Sequence, residues 1–266
     1  MKISNLQNIK GGIYHRFKRW RWRVFSFSGS SKILFVFGCN RSGKSLLMHL
    51  FNCDPRIITY WESSPITNIR LLSKQIVETE IQKYHAPISA IKLPAENQNA
   101  SLLLNSYKNS KSIWVYRGVH DAVYFSLKKF SGQAATLQGV ISDVANWRSE
   151  NVTRDTKNLV KNFYSPTMRR EDANALFWYC RNILYFEQGL EKDNRVMLCN
   201  YEKLVSSAQA CMRNIYSFLE LSFPHYDPSK NILNHVGAGS EIKINSEILS
   251  ICESLFDKLN CVEQEQ

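Results

Sequence analysis

Lys32-Ile33-Leu34-Phe35-Val36-Phe37-Gly38-Cys39-Asn40-Arg41-Ser42-Gly43-Lys44-Ser45 is the stretch whose reading decides the fold. Its first half is a short apolar run that follows Gly29-Ser30 and stops at Gly38, the pattern of a buried strand. Its second half, Gly38 to Ser45, fits G-x-x-x-x-G-K-[ST], the pattern of a phosphate-cradling loop. Apolar residues at helical spacing follow from about Ser45 to Phe51 and stop near Asp54-Pro55. Glycines let such a turn curl so that successive N–H groups converge on one anion. The helix N-terminus adds a favourable dipole, and the lysine and hydroxyls add direct contacts. Gly38, Asn40, Arg41, Ser42, Gly43, Lys44 and Ser45 are therefore candidate nucleotide-binding residues, the bland alternative being a tight turn with no ligand.

Moving outward, further short apolar runs stand at Arg56–Tyr60, Ile88–Ile91, Ser112–Tyr116 and Arg195–Cys199. Helix-like stretches lie between them, around Ile69–Lys83, Ala100–Lys108, Ala122–Phe130 and Ala173–Gly189. This alternation predicts an α/β fold: a central parallel sheet with helices on both faces and the phosphate turn after the first strand. Residues 132–170 are polar and weakly periodic, and are expected to form a mostly helical insertion over one end of the sheet. A last helix is expected over Ser246–Leu259, with the final residues frayed. Residues 1–30 form an arm in this scheme, and 31–262 a single domain.

The composition fits that scheme. With 266 residues, 44% hydrophobic and 21% charged, the chain is neither disordered nor a disulfide-stapled miniprotein. Thirty-four Lys and Arg against 23 Asp and Glu give a net charge of +11, which favours a polyanionic partner. The seven cysteines are scattered with no C-x-x-C pair, so a zinc site is not expected and a reduced compartment is. No apolar run has the length of a membrane span, and no secretory leader opens the chain, so a cytoplasmic location is expected. Residues His15–Arg23, H-R-F-K-R-W-R-W-R, hold five Arg or Lys and three large aromatics. That composition suits an anionic membrane surface, with rings at the interface and cations on phosphates. A nucleic-acid strand would use the same pairing, and an arm folded onto the domain would also carry it.

Which nucleotide the loop would hold turns on the later strand ends. NTPases and kinases need an acidic residue there to hold magnesium on the terminal phosphates. Here the run Ile113-Trp114-Val115-Tyr116 finishes in Arg117, and Val196-Met197-Leu198-Cys199 finishes in Asn200-Tyr201. A cation where the carboxylate should be points to a second phosphate bound directly by protein.

With these motifs the chain resembles the PAPS-dependent sulfotransferases from about Ile33 to Leu259, and their carbohydrate and tyrosyl-protein branches more than the cytosolic small-molecule branch. The family's 5′-phosphosulfate turn, R-S-G-T-[ST], stands here as Arg41-Ser42-Gly43-Lys44-Ser45, with Lys44 in place of the usual Thr. Its 3′-phosphate signature is a strand ending in Arg followed by a helix carrying Ser, here Arg117 and Ser126. That serine falls one residue later than the family pattern, with Phe125 at the usual place, a rotation of about 100° around the helix. Lys128 and Lys129 could supply the missing contact. A third similarity is Tyr201-Glu202-Lys203-Leu204, like the family's Y-E-x-L, and it makes Tyr201 a nucleotide contact. Ser240 and Lys243 resemble the late loop that closes over the 3′-phosphate.

The resemblance implies sulfuryl transfer from PAPS, leaving PAP, to a hydroxyl acceptor, a saccharide in the carbohydrate branch, with no metal and no nucleic acid as partner. The cytosolic branch takes its base from a K-x-H-L-P segment; here Ile91-Lys92-Leu93-Pro94 has no His. The other branches use a Glu shortly after the second strand, which makes Glu62 the expected base. Arg41 and Lys44, with Lys92 behind them, are expected to stabilise the leaving phosphate. His49 is expected to pack against the sheet and His120 to be a turn residue. Arg148, Arg154, Lys157 and Lys161 would suit an anionic saccharide, and equally plain solvent. The alternatives are a kinase or NTPase using Mg-ATP, which Lys44 favours, and a pure binder acting through the basic arm.

Overall fold

The computed structural model describes residues 17–24, 31–68, 70–130, 133–142, 146–232 and 242–266. Residues 17–24 form helix α1. The quoted stretch then gives strand β1 (Lys32–Gly38) and helix α2 (Lys44–Asn52), followed by β2 (Ile57–Tyr60). Two short strands, β3 (Thr67–Asn68) and β4 (Arg70–Leu71), lead to α3 (Lys74–Gln82), β5 (Ile88–Lys92), α4 (Ala100–Ser106) and β6 (Ser110–Tyr116). Helices α5 (Val119–Leu127), α6 (Ala134–Ile141), α7 (Arg154–Phe163) and α8 (Arg170–Glu187) precede β7 (Val196–Asn200), α9 (Tyr201–Ser206), α10 (Ala208–Phe218) and α11 (Ser246–Gln264).

The sheet order is β2-β5-β1-β6-β7, and every neighbouring pair is parallel. Strand residues alternate between two apolar layers, as a period of two requires. Leu34 and Val36 face Leu47, Met48 and Phe51 of α2, whereas Phe35 and Phe37 join Tyr107, Trp114 and Tyr185 on the other side. A sheet buried on both faces explains why these strands read as continuous apolar runs. The register pairs Val36 with Lys92, Phe37 with Trp114 and Tyr116 with Asn200. The C-terminal ends of β1, β5, β6 and β7 therefore lie along one edge. The chain leaves β1 toward β5 and β2 first and returns to β6 and β7 on the other side, so that edge has a crevice where ligands of such sheets bind.

Two expectations change, and the described part of the arm takes one of the arrangements the sequence left open. The helix expected from Ile69 starts only at Lys74, because the Glu96 carboxylate accepts bonds from Leu71 N (3.2 Å) and Arg70 Nε (2.9 Å) and holds the preceding residues extended. The C-terminus is not frayed: α11 runs to Gln264, and Gln266 Oε1 accepts from Leu198 N at 2.8 Å, tying the end to β7. The part of the arm described here is folded on the body: Trp22 Nε1 donates to Pro55 O (2.6 Å), and Trp22 O accepts from His85 N (3.1 Å). Helix α1 thereby covers the flank of β2, one of the two edge strands of the sheet. Between 132 and 170 the described residues are mostly helical, as α6 and α7.

Candidate active site at the phosphate loop

Glycine is required at two points of the turn between β1 and α2. Gly38 has φ 133°, and a Cβ there would stand 2.1 Å from Val115 O. Gly43 has φ 106°, and a Cβ there would stand 2.3 Å from Tyr201 Cδ2. As the N-cap of α2, Gly43 offers no side-chain acceptor to the first helical turn, and that turn holds no acidic residue. Its amides thus keep the geometry that receives an external anion. Arg41 is held at φ 65°, uncommon for a residue with a side chain.

The loop forms one wall of a cavity of about 480 Å³. Arg41, Lys44, Lys92, Arg117 and Lys129 line it, with Glu62 as the carboxylate among the described lining residues. Asn40, Ser42, Gly43, Ser45 and Tyr201 complete the polar wall, and Trp61, Phe125 and Phe130 the apolar one. Lys92 bridges the parts: its Nζ lies 2.9 Å from Glu62 Oε1 and donates to Ser45 Oγ at 2.8 Å. Burial alone would push the half-exposed Glu62 carboxyl up. The Lys92 hydrogen bond and charge, with Lys44 and Lys129 nearby, outweigh this and hold it below the usual carboxylate range.

Lys44 is buried and donates to Gly38 O and, at 2.8 Å, to Cys39 O. Burial lowers its ammonium pKa to about 7, with Lys92 and Arg181 adding to the fall and Cys39 and Glu62 opposing it. Arg117 leaves β6 between two rings, its guanidinium carbon 4.0 Å from the Tyr201 centroid and 4.6 Å from that of Phe125. Asp121 Oδ2 takes one of its N–H groups at 2.6 Å, and Trp178 Nε1 donates to its carbonyl at 2.9 Å. Arg117 Nε and Ser42 Oγ are buried with no partner in the protein. Two orphaned polar groups beside five cations fit a ligand with separate anionic groups.

The expected site residues do not all gather. Arg41, Ser42, Gly43, Lys44, Ser45, Asn40, Glu62, Lys92, Arg117 and Tyr201 all line the cavity, and Gly38 lies beneath the loop. Ser126 does not line it. Its hydroxyl is buried and bonded to Asn174 Oδ1 at 2.5 Å, while Phe125, one position earlier, faces the cavity as the helical rotation requires. Lys243 is exposed, and its carbonyl accepts from Arg169 Nη2 at 2.8 Å, away from the cavity lining. Ser240 lies outside the described residues. Arg148, Arg154, Lys157 and Lys161 are not among the lining residues either; Arg148 stacks on Trp147. His49 packs against Trp61, ring centroids 4.8 Å apart.

Phe125 enters the sequence reading only as the residue at the usual place of the family serine, and Trp61 only by its place beside Glu62 after a strand; Phe130 gives no signal. Arg181, fully buried, with Nη1 donating to Gln98 Oε1 at 3.0 Å and Nη2 unpartnered, also gave none.

No family model matches the chain, and no curated protein matches it. Solved structures do. A sulfotransferase domain from the curacin biosynthetic pathway covers 88% of this chain and 92% of its own length, at 15% identity and a TM-score of 0.50. A mouse sulfotransferase complexed with PAP covers 93% and 92%, at 14% identity and 0.49. A sulfotransferase from Alicyclobacillus acidocaldarius covers 89% and 96%, at 11% identity and 0.48. At such identities the likeness is one of fold, and on the curacin-pathway domain it extends over nearly the whole of both chains.

Proposed function

We propose that the cavity binds PAPS and that the protein transfers its sulfuryl group to a hydroxyl acceptor. The observation that carries this reading is the convergence of Arg41, Lys44, Lys92, Arg117 and Lys129 on one cavity, with Glu62 as the carboxylate beside them. A kinase reading would ask that carboxylate to hold magnesium, yet it is already paired with Lys92. When bound, PAPS supplies a sulfuryl group on a phosphate that can depart. The loop from Asn40 to Ser45 cradles the 5′ side, and Arg117, fixed between Tyr201 and Phe125, takes the 3′-phosphate with Lys129 nearby. Glu62 accepts the proton of the acceptor hydroxyl; ionised at neutral pH, it is ready to do so. Lys92 orients that carboxylate and, with Arg41 and Lys44, neutralises charge on the phosphate oxygens. A saccharide hydroxyl is the proposed acceptor, with the Trp61 ring beside Glu62 as a stacking surface.

Calorimetric titration of adenosine 3′,5′-bisphosphate in EDTA tests the reading. Wild type should bind in the micromolar range and Arg117→Ala about 10²-fold more weakly, the loss of a charged hydrogen-bonding partner. Binding of Mg-ATP with none of the bisphosphate would replace sulfuryl transfer by phosphoryl transfer.

A further inference from the structure

Helix α1 is amphipathic in an inverted sense. Lys18 and Trp22, one turn apart, point into the body. Lys18 Nζ donates to Asn52 O at 3.1 Å, and Arg19 lies over the rings of Tyr60 and Tyr84 at 5.3 and 5.2 Å. On the opposite side Phe17, Trp20 and Val24 are 57%, 55% and 57% exposed. Their spacing of three and four residues puts them on one stripe. Phe17 and Trp20 also lie together, ring centroids 5.8 Å apart. A helix serving only to cover β2 would turn its aromatic stripe inward and its cations outward. Here a lysine is buried while two aromatic rings and a valine face solvent.

The charge around that ridge states its partner. Helix α1 holds no carboxylate, and its exposed Arg21 and Arg23 form no ion pair among the described residues. Arg21 flanks the ridge directly, and the chain as a whole carries a net charge of +11. Aromatic rings with cations beside them match the interface of a bilayer, where rings sit among headgroups and guanidinium groups meet phosphates. From this juxtaposition we infer that the Phe17–Trp20–Val24 ridge of α1 docks the protein on an anionic lipid surface. The inference is independent of the nucleotide reading, since no residue of the ridge lines the cavity. The inner face of α1 is anchored beside it, however, for Arg19 lies over Tyr60, the residue before Trp61 and Glu62.

Sedimentation of the full chain with phosphatidylcholine vesicles, with and without phosphatidylglycerol, tests it. Wild type should sediment with the anionic vesicles, should do so less as salt rises, and should stay in solution with phosphatidylcholine alone. Phe17→Ser with Trp20→Ser should weaken binding by roughly tenfold or more, the scale of two lost aromatic burials, with melting temperature and bisphosphate affinity unchanged. Because both side chains face solvent, the fold is expected to survive. A drop in melting temperature would be met by quenching of tryptophan emission by brominated lipid, which wild type should show and Trp20→Phe, used in place of the double variant, should lose. No binding to anionic vesicles would overturn the inference, as would equal binding by the double variant. Concentration-dependent dimerisation without lipid, lost in the variant, would instead give the ridge to a second copy. Tight binding to a single-stranded oligonucleotide, lost in the same way, would give it to nucleic acid.

Discussion

Substituting Gly43 by alanine should destabilise the protein for two separable reasons. The backbone at φ 106° is one that an L side chain seldom adopts, and such strain costs about 1–2 kcal/mol. The new Cβ would also stand 2.3 Å from Tyr201 Cδ2 and 3.0 Å from Cε2, more than 1 Å inside ordinary contact at the nearer atom. Overpacking of this kind adds about 1–3 kcal/mol, so the total loss is about 2–5 kcal/mol. Tyr201→Ala removes the obstructing ring and leaves only the strain. In that background Gly43→Ala should cost about 1–2 kcal/mol, giving a coupling of about 1–3 kcal/mol between the two positions. Urea unfolding of the four proteins, followed by circular dichroism, measures each term. A retreat of Tyr201 also disturbs Arg117, whose guanidinium lies 4.0 Å from that ring, so bisphosphate affinity should fall in Gly43→Ala. Equal cost of the alanine in both backgrounds would refute the packing of loop against α9.

Glu62→Gln should lower turnover by about 10²–10⁴-fold, the range for a general base, while bisphosphate affinity stays within a few-fold. Undiminished single-turnover rates would remove Glu62 from the chemistry. Because the Glu62 carboxyl is held down by Lys92, the acid limb of the rate profile should lie below the ordinary glutamate range, and Lys92→Met should move it upward. An unmoved limb would break that link. Lys44, pushed down to about 7 by burial, should take up a proton when an anion binds beside it, because the anion raises its pKa. Affinity should therefore decline as pH rises from 7 toward 9, and the binding enthalpy at pH 7.5 should depend on the buffer's ionisation enthalpy. Lys44→Met should abolish that dependence, and its persistence would place the proton elsewhere.

Much of the fold could be read from period and punctuation. The run from Ile33 to Phe37 is apolar throughout because β1 lies between two neighbours with both faces covered, and the glycines after it sit where a Cβ has no room. The short β3–β4 ribbon could not be read, since what holds it extended is Glu96, distant in sequence. The residues expected at or just after strand ends, Arg117, Glu62 and Lys92, do line the cavity. The site was illegible where helix phase decides. One residue separates Ser126 from Phe125, yet one side chain binds Asn174 and the other faces the cavity. The fate of α1 was hidden for another reason: its composition names both cations and rings, but only packing against Asn52, Pro55 and Tyr84 says which turn inward.

The loop stands over cations that stability alone would not select. Lys44 and Arg181 are both buried, burial lowers the pKa of the first to about 7 and of the second to about 10, and neither forms an ion pair among the described residues. Lys44 is satisfied by carbonyls of the loop itself, and one amino group of Arg181 has no partner. An unpaired buried charge is costly in a fold whose net stability is small. The same charge becomes favourable once an anion sits on the loop, because the interaction takes place where water screens it least. An anion bound there would stabilise the fold by an amount that rises with the logarithm of its concentration over its dissociation constant. Arg181 does not line the cavity, but its charge is among those that lower the Lys44 pKa.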